Sequence, residues 1–119
     1  MGMMKRAALA LIFAALATPA SAQYVEPVPW AAQQPSARDF RDTYPAQALA
    51  AGVEGLVRLD CLITEHYKLD CAIQSETPTG YGFGPAALRL AQLYVASPED
   101  PRIVVGRRVI VPIRYALED

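Results

Sequence analysis

From Gly55 to Ser75 the chain reads GLVRLDCLITEHYKLDCAIQS, and apolar residues recur at every second position. Val57, Leu59, Cys61 and Ile63 alternate with Arg58, Asp60, Leu62 and Thr64. After a short break, Leu69, Cys71 and Ile73 alternate with Lys68, Asp70, Ala72 and Gln74. A period of two sends successive side chains to opposite faces of an extended strand, so the pattern predicts a β-hairpin with one buried face. The two apolar sets share that face if the arms pair about His66, and Cys61 then stands opposite Cys71. The turn, Glu65-His66-Tyr67-Lys68, holds neither the Gly nor the Asn that a tight type I′ turn prefers, so a loop of about three to five residues is expected.

A second alternation lies near the C-terminus, in RRVIVPIRYAL from Arg107 to Leu117. Val109, Val111, Ile113 and Tyr115 fall on one face, and Arg108, Pro112 and Arg114 on the other. Pro112 has no N–H for a ladder, which assigns this strand to a sheet edge. Between hairpin and strand the period changes to that of a helix. Ala87, Leu90, Ala91 and Tyr94 fall at i, i+3, i+4 and i+7, with Arg89 and Gln92 on the wet side. This predicts a helix opened by Pro85, running to about Tyr94 and covering the hairpin; Ser97-Pro98-Glu99-Asp100-Pro101 ends it. A shorter helix is expected over Ala46–Ala51, after Pro45 and before Gly52 as C-cap, docked through Ala48 and Leu49. Ser36 is an N-cap for a short helical turn. The stretch SETPTGYGFG, from Ser75 to Gly84, reads as a constrained loop pinned by Tyr81 and Phe83.

Residues 1–22 have a different character. Lys5 and Arg6 precede the apolar run Ala7–Ala17, Thr18-Pro19 breaks it, and Ala20-Ser21-Ala22 offers a small-x-small cleavage site. This is the pattern of a secretory signal peptide cleaved after Ala22, and the run is short of the roughly 20 apolar residues of a membrane span. The expected divisions are 1–22 signal peptide, 23–43 proline-containing linker with a short helical turn, and 44–119 the folded domain. The linker segment Gln23–Pro35 carries Pro27, Pro29 and Pro35 and favours extended backbone. Trp30, its one unusual residue, reads as an aromatic packed against the domain rather than as a partner anchor.

The whole chain has 119 residues and a formal charge of −1. Without Lys5 and Arg6 it keeps nine basic and twelve acidic side chains, a net charge of −3. Neither value draws it toward nucleic acid or anionic lipid. After cleavage no stable membrane insertion is expected, and the localisation read from the signal is the periplasm. A core from so short a chain is modest, which makes a covalent staple useful.

Candidate chemistry is sparse. Cys61 and Cys71 are the only cysteines, and export into an oxidising compartment together with opposed hairpin positions predicts a disulfide. The other reading is a pair of buried thiols packing as small hydrophobes. They are not spaced C-x-x-C, so a redox pair is not indicated. His66 is the sole histidine. Five residues of strand extend about 16 Å, so a histidine at the hairpin tip cannot share a tetrahedral centre with both sulfurs. No metal, cofactor or catalytic residue is assigned, and an enzyme is not expected. Arg102, Arg107, Arg108 and Arg114 concentrate positive charge around the last strand, either as a charged edge that blocks aggregation or as a docking edge for an acidic segment.

Tyr44-Pro45, Ala48, Gly52-Val53-Glu54-Gly55, the strand Leu56–Ile63, Ser75-Glu76, Gly82-Phe83-Gly84 before Ala86-Ala87-Leu88, and Val109–Tyr115 with its Pro112 occur in an order that resembles the C-terminal domain of TonB proteins. The cysteine pair and the SETPTGYGFG loop are similar to a small secreted subgroup. The resemblance implies an α+β fold, a three-stranded antiparallel sheet with two helices packed on one face, and no cofactor. It implies binding of an extended segment of an envelope protein by strand addition at the last strand. The partner-binding edge read from the sequence is Arg107, Arg108, Ile110, Val111, Pro112, Arg114 and Tyr115, and homodimerisation through the same edge is left open. The alternative is a membrane-anchored, TonB-type energy-transducer subunit. Against it, Gln23–Thr43 spans at most about 75 Å when fully extended. The chain also departs from the family at the hairpin turn, where His66-Tyr67 stands in place of an Asp-Gly-like pair.

Overall fold

A computed structural model of the chain describes Val25 and residues 27–117; the signal-peptide segment and its cleavage site lie outside the described residues. The elements in chain order are β1 (Ala31–Gln33), α1 (Ala37–Thr43), α2 (Ala46–Ala51), β2 (Gly55–Ile63), β3 (Leu69–Thr77), α3 (Phe83–Ala91), β4 (Val95–Ala96) and β5 (Arg108–Tyr115). The fold is α+β. β2, β3 and β5 form an antiparallel sheet in the order β3-β2-β5, and β1 pairs with β4 in a separate two-stranded ribbon.

The hairpin pairs about His66 as its alternation requires: Cys61 faces Cys71, Leu62 faces Asp70 and Ile63 faces Leu69. Its loop is three residues, Glu65–Tyr67, closed by Thr64 N–H to the Lys68 carbonyl at 2.9 Å and Tyr67 N–H to the Thr64 carbonyl at 2.9 Å. Tyr67 takes the left-handed conformation, φ 63°, which costs a non-glycine residue about 1 kcal/mol. Its carbonyl accepts the Ala96 N–H at 2.7 Å, so the turn is tied to β4. Farther along β3 the register shifts between Arg58 and Leu59, which face Ser75 and Ile73. Gln74 is therefore an extra residue, a β-bulge. Ile73, just before the bulge and paired with buried Leu59, lies on the edge strand and is 40% exposed, although its alternation suggested burial.

The faces of β2 and β5 sort as their patterns predict. Val57, Leu59, Cys61, Ile63, Val111, Ile113 and Tyr115 are buried under the helices. α3 supplies Phe83, Ala86, Ala87, Leu90 and Ala91, and Tyr94 follows just past its end. This helix starts two residues before Pro85, so Phe83 is helical and fully buried rather than a clamp on a loop. Likewise the expected loop at Ser75 is strand as far as Thr77. α2 ends at Gly52 in the left-handed conformation, φ 67°, but only Ala48 docks; Leu49 is 53% exposed. On a six-residue helix Leu49 sits one residue round from the inward position and faces solvent.

The stretch read as linker and short turn joins the fold. Ser36 caps α1 in a reciprocal capping box with Asp39, and Phe40 enters the core at 5% exposure. Trp30 stacks on Tyr94, and its carbonyl accepts the Ser97 N–H at 2.8 Å. Segment 27–33 is thus a strap laid on the domain.

Candidate functional site

β5 is an edge strand: β2 is its only partner among the described strands. The direction of its backbone groups follows from one hydrogen bond. Ile63 N–H donates to the Arg107 carbonyl at 3.0 Å, and hydrogen-bonded pairs recur at every second residue of an antiparallel ladder. The bonded pairs are then Cys61–Val109, Leu59–Val111, Val57–Ile113 and Gly55–Tyr115, in the observed register. The backbone groups of Arg108, Ile110, Pro112 and Arg114 point the other way, away from β2. Pro112 therefore occupies a position where its missing N–H takes nothing from the sheet.

The structure divides the residues assigned to this edge from sequence. Arg107 precedes β5 and is exposed; Arg108, Pro112 and Arg114 are exposed on the outer sheet face, with Ile110 at 39%. Val111 and Tyr115 instead turn their side chains into the core, at 2% and 0%. Tyr115 sits in an aromatic cluster with Phe40, Tyr44 and Phe83, and its phenol lies 2.8 Å from the Thr43 hydroxyl. Arg108 donates from Nε to Asp60 Oδ1 at 2.9 Å, and Arg102 closes a ring of hydrogen bonds onto Asp100. Both pairs are at the surface, where such contacts contribute at most about 1 kcal/mol.

A groove of about 630 Å³ runs along this edge. One wall is the strap, with Val25, Pro27, Val28, Pro29 and Trp30. Phe40, Tyr94 and Val111 lie on the core side of the sheet, and Leu56, Arg58, Pro112 and Arg114 on the outer side. No signal in the sequence marked the strap wall except Trp30, because proline-rich composition predicts extended backbone without saying what it lies against.

The titratable groups that depart from their ordinary values do structural work. Burial, with the Tyr115 phenol nearby, pushes Tyr94 up to about 12. Burial also raises Tyr115, although the Thr43 hydroxyl and Arg89 oppose it, and burial followed by the Glu54 charge raises Tyr44. Hydrogen bonds from the Arg102 side chain and backbone hold Asp100 down at about 2. Cys61 and Cys71 are joined in a disulfide, with Cα atoms 3.9 Å apart. Among the described residues no group of three His, Cys, Asp or Glu side chains could hold a metal ion, and no helix is long and apolar enough to cross a membrane.

The chain matches no protein-family model. No curated protein matches it either.

Proposed function

We propose that this is a TonB-like, non-enzymatic interaction module of the cell envelope, exported to the periplasm, which binds an extended segment of an envelope protein by strand addition at β5. The observation that carries the reading is the orientation of the edge. Arg108, Ile110 and Pro112 direct backbone groups away from β2, and β-augmentation uses such groups for affinity and the flanking side chains for selectivity. The disulfide between Cys61 and Cys71 supports an oxidising compartment, and cleavage after Ala22 would release the domain from the membrane.

The test is site-specific photocrosslinking in the native host. A photoreactive residue at Arg108 on β5 is compared with one at Gln74 on the opposite sheet edge. Crosslinks from position 108 that map to an extended segment of an envelope protein, and that disappear in Ile110→Pro, support the reading. Crosslinks only from position 74 transfer binding to β3 and sink it.

A further inference from the structure

We propose that β3 is a self-association edge, at which two copies of the chain pair antiparallel through Leu69–Ile73 about a two-fold axis at Cys71. The product is one six-stranded sheet that carries a β5 edge at each end, so this surface is separate from the one proposed for strand addition.

The phase of the hairpin ladder sets what β3 offers. Thr64 N–H donates to the Lys68 carbonyl at 2.9 Å, so bonded pairs recur at Leu62–Asp70 and Asp60–Ala72 in the observed register. The backbone groups of Leu69, Cys71 and Ile73 point the other way, and β2 is the only partner of β3 among the described strands. This row is regular between two interruptions. Tyr67 turns the chain at one end, with φ 63°, and the extra residue Gln74 shifts the register at the other. The five residues between them hold no proline, whereas on β5 Pro112 breaks the row of outward donors. Nor does the neighbouring lysine guard the edge as exposed lysines do elsewhere, since Lys68 Nζ donates to the Gln92 carbonyl at 2.8 Å.

The length and the side chains of this edge fit a second copy of itself. With the axis at Cys71, Leu69 stands opposite Ile73 of the other copy and Cys71 opposite Cys71. All are bonded pairs, so every outward group of the five residues is used. An axis at Ala72 would set Leu69 against Ser75, past the bulge, whose groups face β2. An axis at Asp70 would set Ile73 against Tyr67 in the turn. Pairing at Cys71 also gives Ile73, 40% exposed, an apolar neighbour in Leu69 on the core face. On the outer face Asp70 stands opposite Ala72, so no like charges are directly opposed. The two Asp70 carboxylates lie diagonally, about 7–8 Å apart, a repulsion that salt screens.

Sedimentation equilibrium of the oxidised, full-length protein reads the dimer constant. The expected dimer is weak, because so short an edge buries less than the roughly 1,600 Å² of a standard interface. Salt and Asp70→Asn should both tighten it. Residues 70 and 72 are exposed, which makes them suitable for a charge swap. Ala72→Asp places a carboxylate opposite Asp70 twice per dimer and should weaken association roughly ten-fold. Adding Asp70→Lys makes both pairs attractive and should restore the wild-type constant to within about two-fold. Ala72→Lys alone should tighten the dimer by roughly ten-fold. A protein that stays monomeric up to about 1 mM overturns the proposal. So does a dimer indifferent to Ala72→Asp, which lies on another surface, and so does a weakening that Asp70→Lys fails to repair. Should Ala72→Asp not fold, by circular dichroism, Ala72→Lys decides: tightening supports this edge, and an unchanged constant overturns it. A crosslink from position 74 to the chain itself belongs to this dimer and leaves the β5 reading untouched.

Discussion

The ring of Trp30 lies 5.7 Å from that of Tyr94, centroid to centroid, at an interplanar angle of 23°. This stack joins the strap to the end of α3. It is flanked by the bond from Ser97 N–H to the Trp30 carbonyl and by the β1–β4 pairing of Ala31 with Ala96. Three contacts thus hold a segment rich in proline against the domain, and one wall of the groove depends on them.

Trp30→Ala removes the stack and uncovers Tyr94. An aromatic pair contributes roughly 0.5–1.5 kcal/mol beyond its buried area, so a loss of about 1–2 kcal/mol in urea unfolding is expected. Hydrogen exchange at the Ser97 amide, which bonds to the Trp30 carbonyl, should accelerate more than exchange in β2. Uniform acceleration at all sites would mean that the strap is no separate unit.

Gly55 begins β2 directly against a core ring. A Cβ placed there would stand 2.5 Å from the Phe83 ring, which is fully buried and packed edge-on against Tyr44. Gly55→Ala should destabilise the fold by about 1–3 kcal/mol through overpacking. Adding Phe83→Leu should cost less in that background than in the wild type, giving a favourable coupling in a double-mutant cycle. Additive effects would show that the ring moves aside freely.

The disulfide closes a short loop, with ten residues of separation between Cys61 and Cys71. Chain-entropy estimates for a loop of this length give about 3 kcal/mol. Thiol titration of the denatured, unreduced protein should find no free thiol, and Cys61→Ala/Cys71→Ala should lower the unfolding free energy by roughly 2–3 kcal/mol. Because Cys61 also pairs with Val109, amide protection should fall at β5 as well as at β3.

Alkaline pH should unfold the protein through its buried phenols. The folded-state value of Tyr94 is raised to about 12 from 10.0, and Tyr44 and Tyr115 shift the same way. A raised acid keeps its proton more tightly in the folded state. Its stabilising contribution is therefore complete below about pH 10 and lost as the pH climbs toward 12. Phenolate absorbance and circular dichroism should change together in that window, and Tyr94→Phe should flatten the pH dependence there. Ionisation of all tyrosines with the fold intact would contradict the burial of these rings.

Much of the sheet was legible because alternation needs only sequence. The pairing of Cys61 with Cys71, the inward set of β5 and the edge position of Pro112 all follow from a period of two and from proline's missing donor. The bulge at Gln74 was not legible, since one inserted residue changes facing without changing composition. Leu49 misled for a related reason: six residues of helix are too few to fix which side docks. The strap carried the weakest signal. β1 and β4 are too short for periodicity, and Trp30 announces burial without naming Tyr94 as its neighbour. The groove is assembled from segments some 80 residues apart in sequence, a juxtaposition that no local pattern encodes.

Neighbouring positions on β5 give the sharpest contrast. Val111 N–H points to Leu59 on β2 by the alternation of the ladder, whereas Ile110 N–H points away. Val111→Pro removes an internal donor, places a ring in a buried position at 2% exposure, and should cost about 3 kcal/mol or more. Ile110→Pro removes only an outward donor beside the existing Pro112 and should cost about 1 kcal/mol or less, since prolines are tolerated on edges. Urea midpoints of the two variants measure the difference directly. The functional readout runs in the opposite sense. Ile110→Pro should remain folded and lose the crosslink from position 108, because the edge then has no donor at 110 or 112. A folded Ile110→Pro that crosslinks from position 108 as the wild type does would move the site off this edge, and equal destabilisation by both prolines would refute the assigned ladder phase.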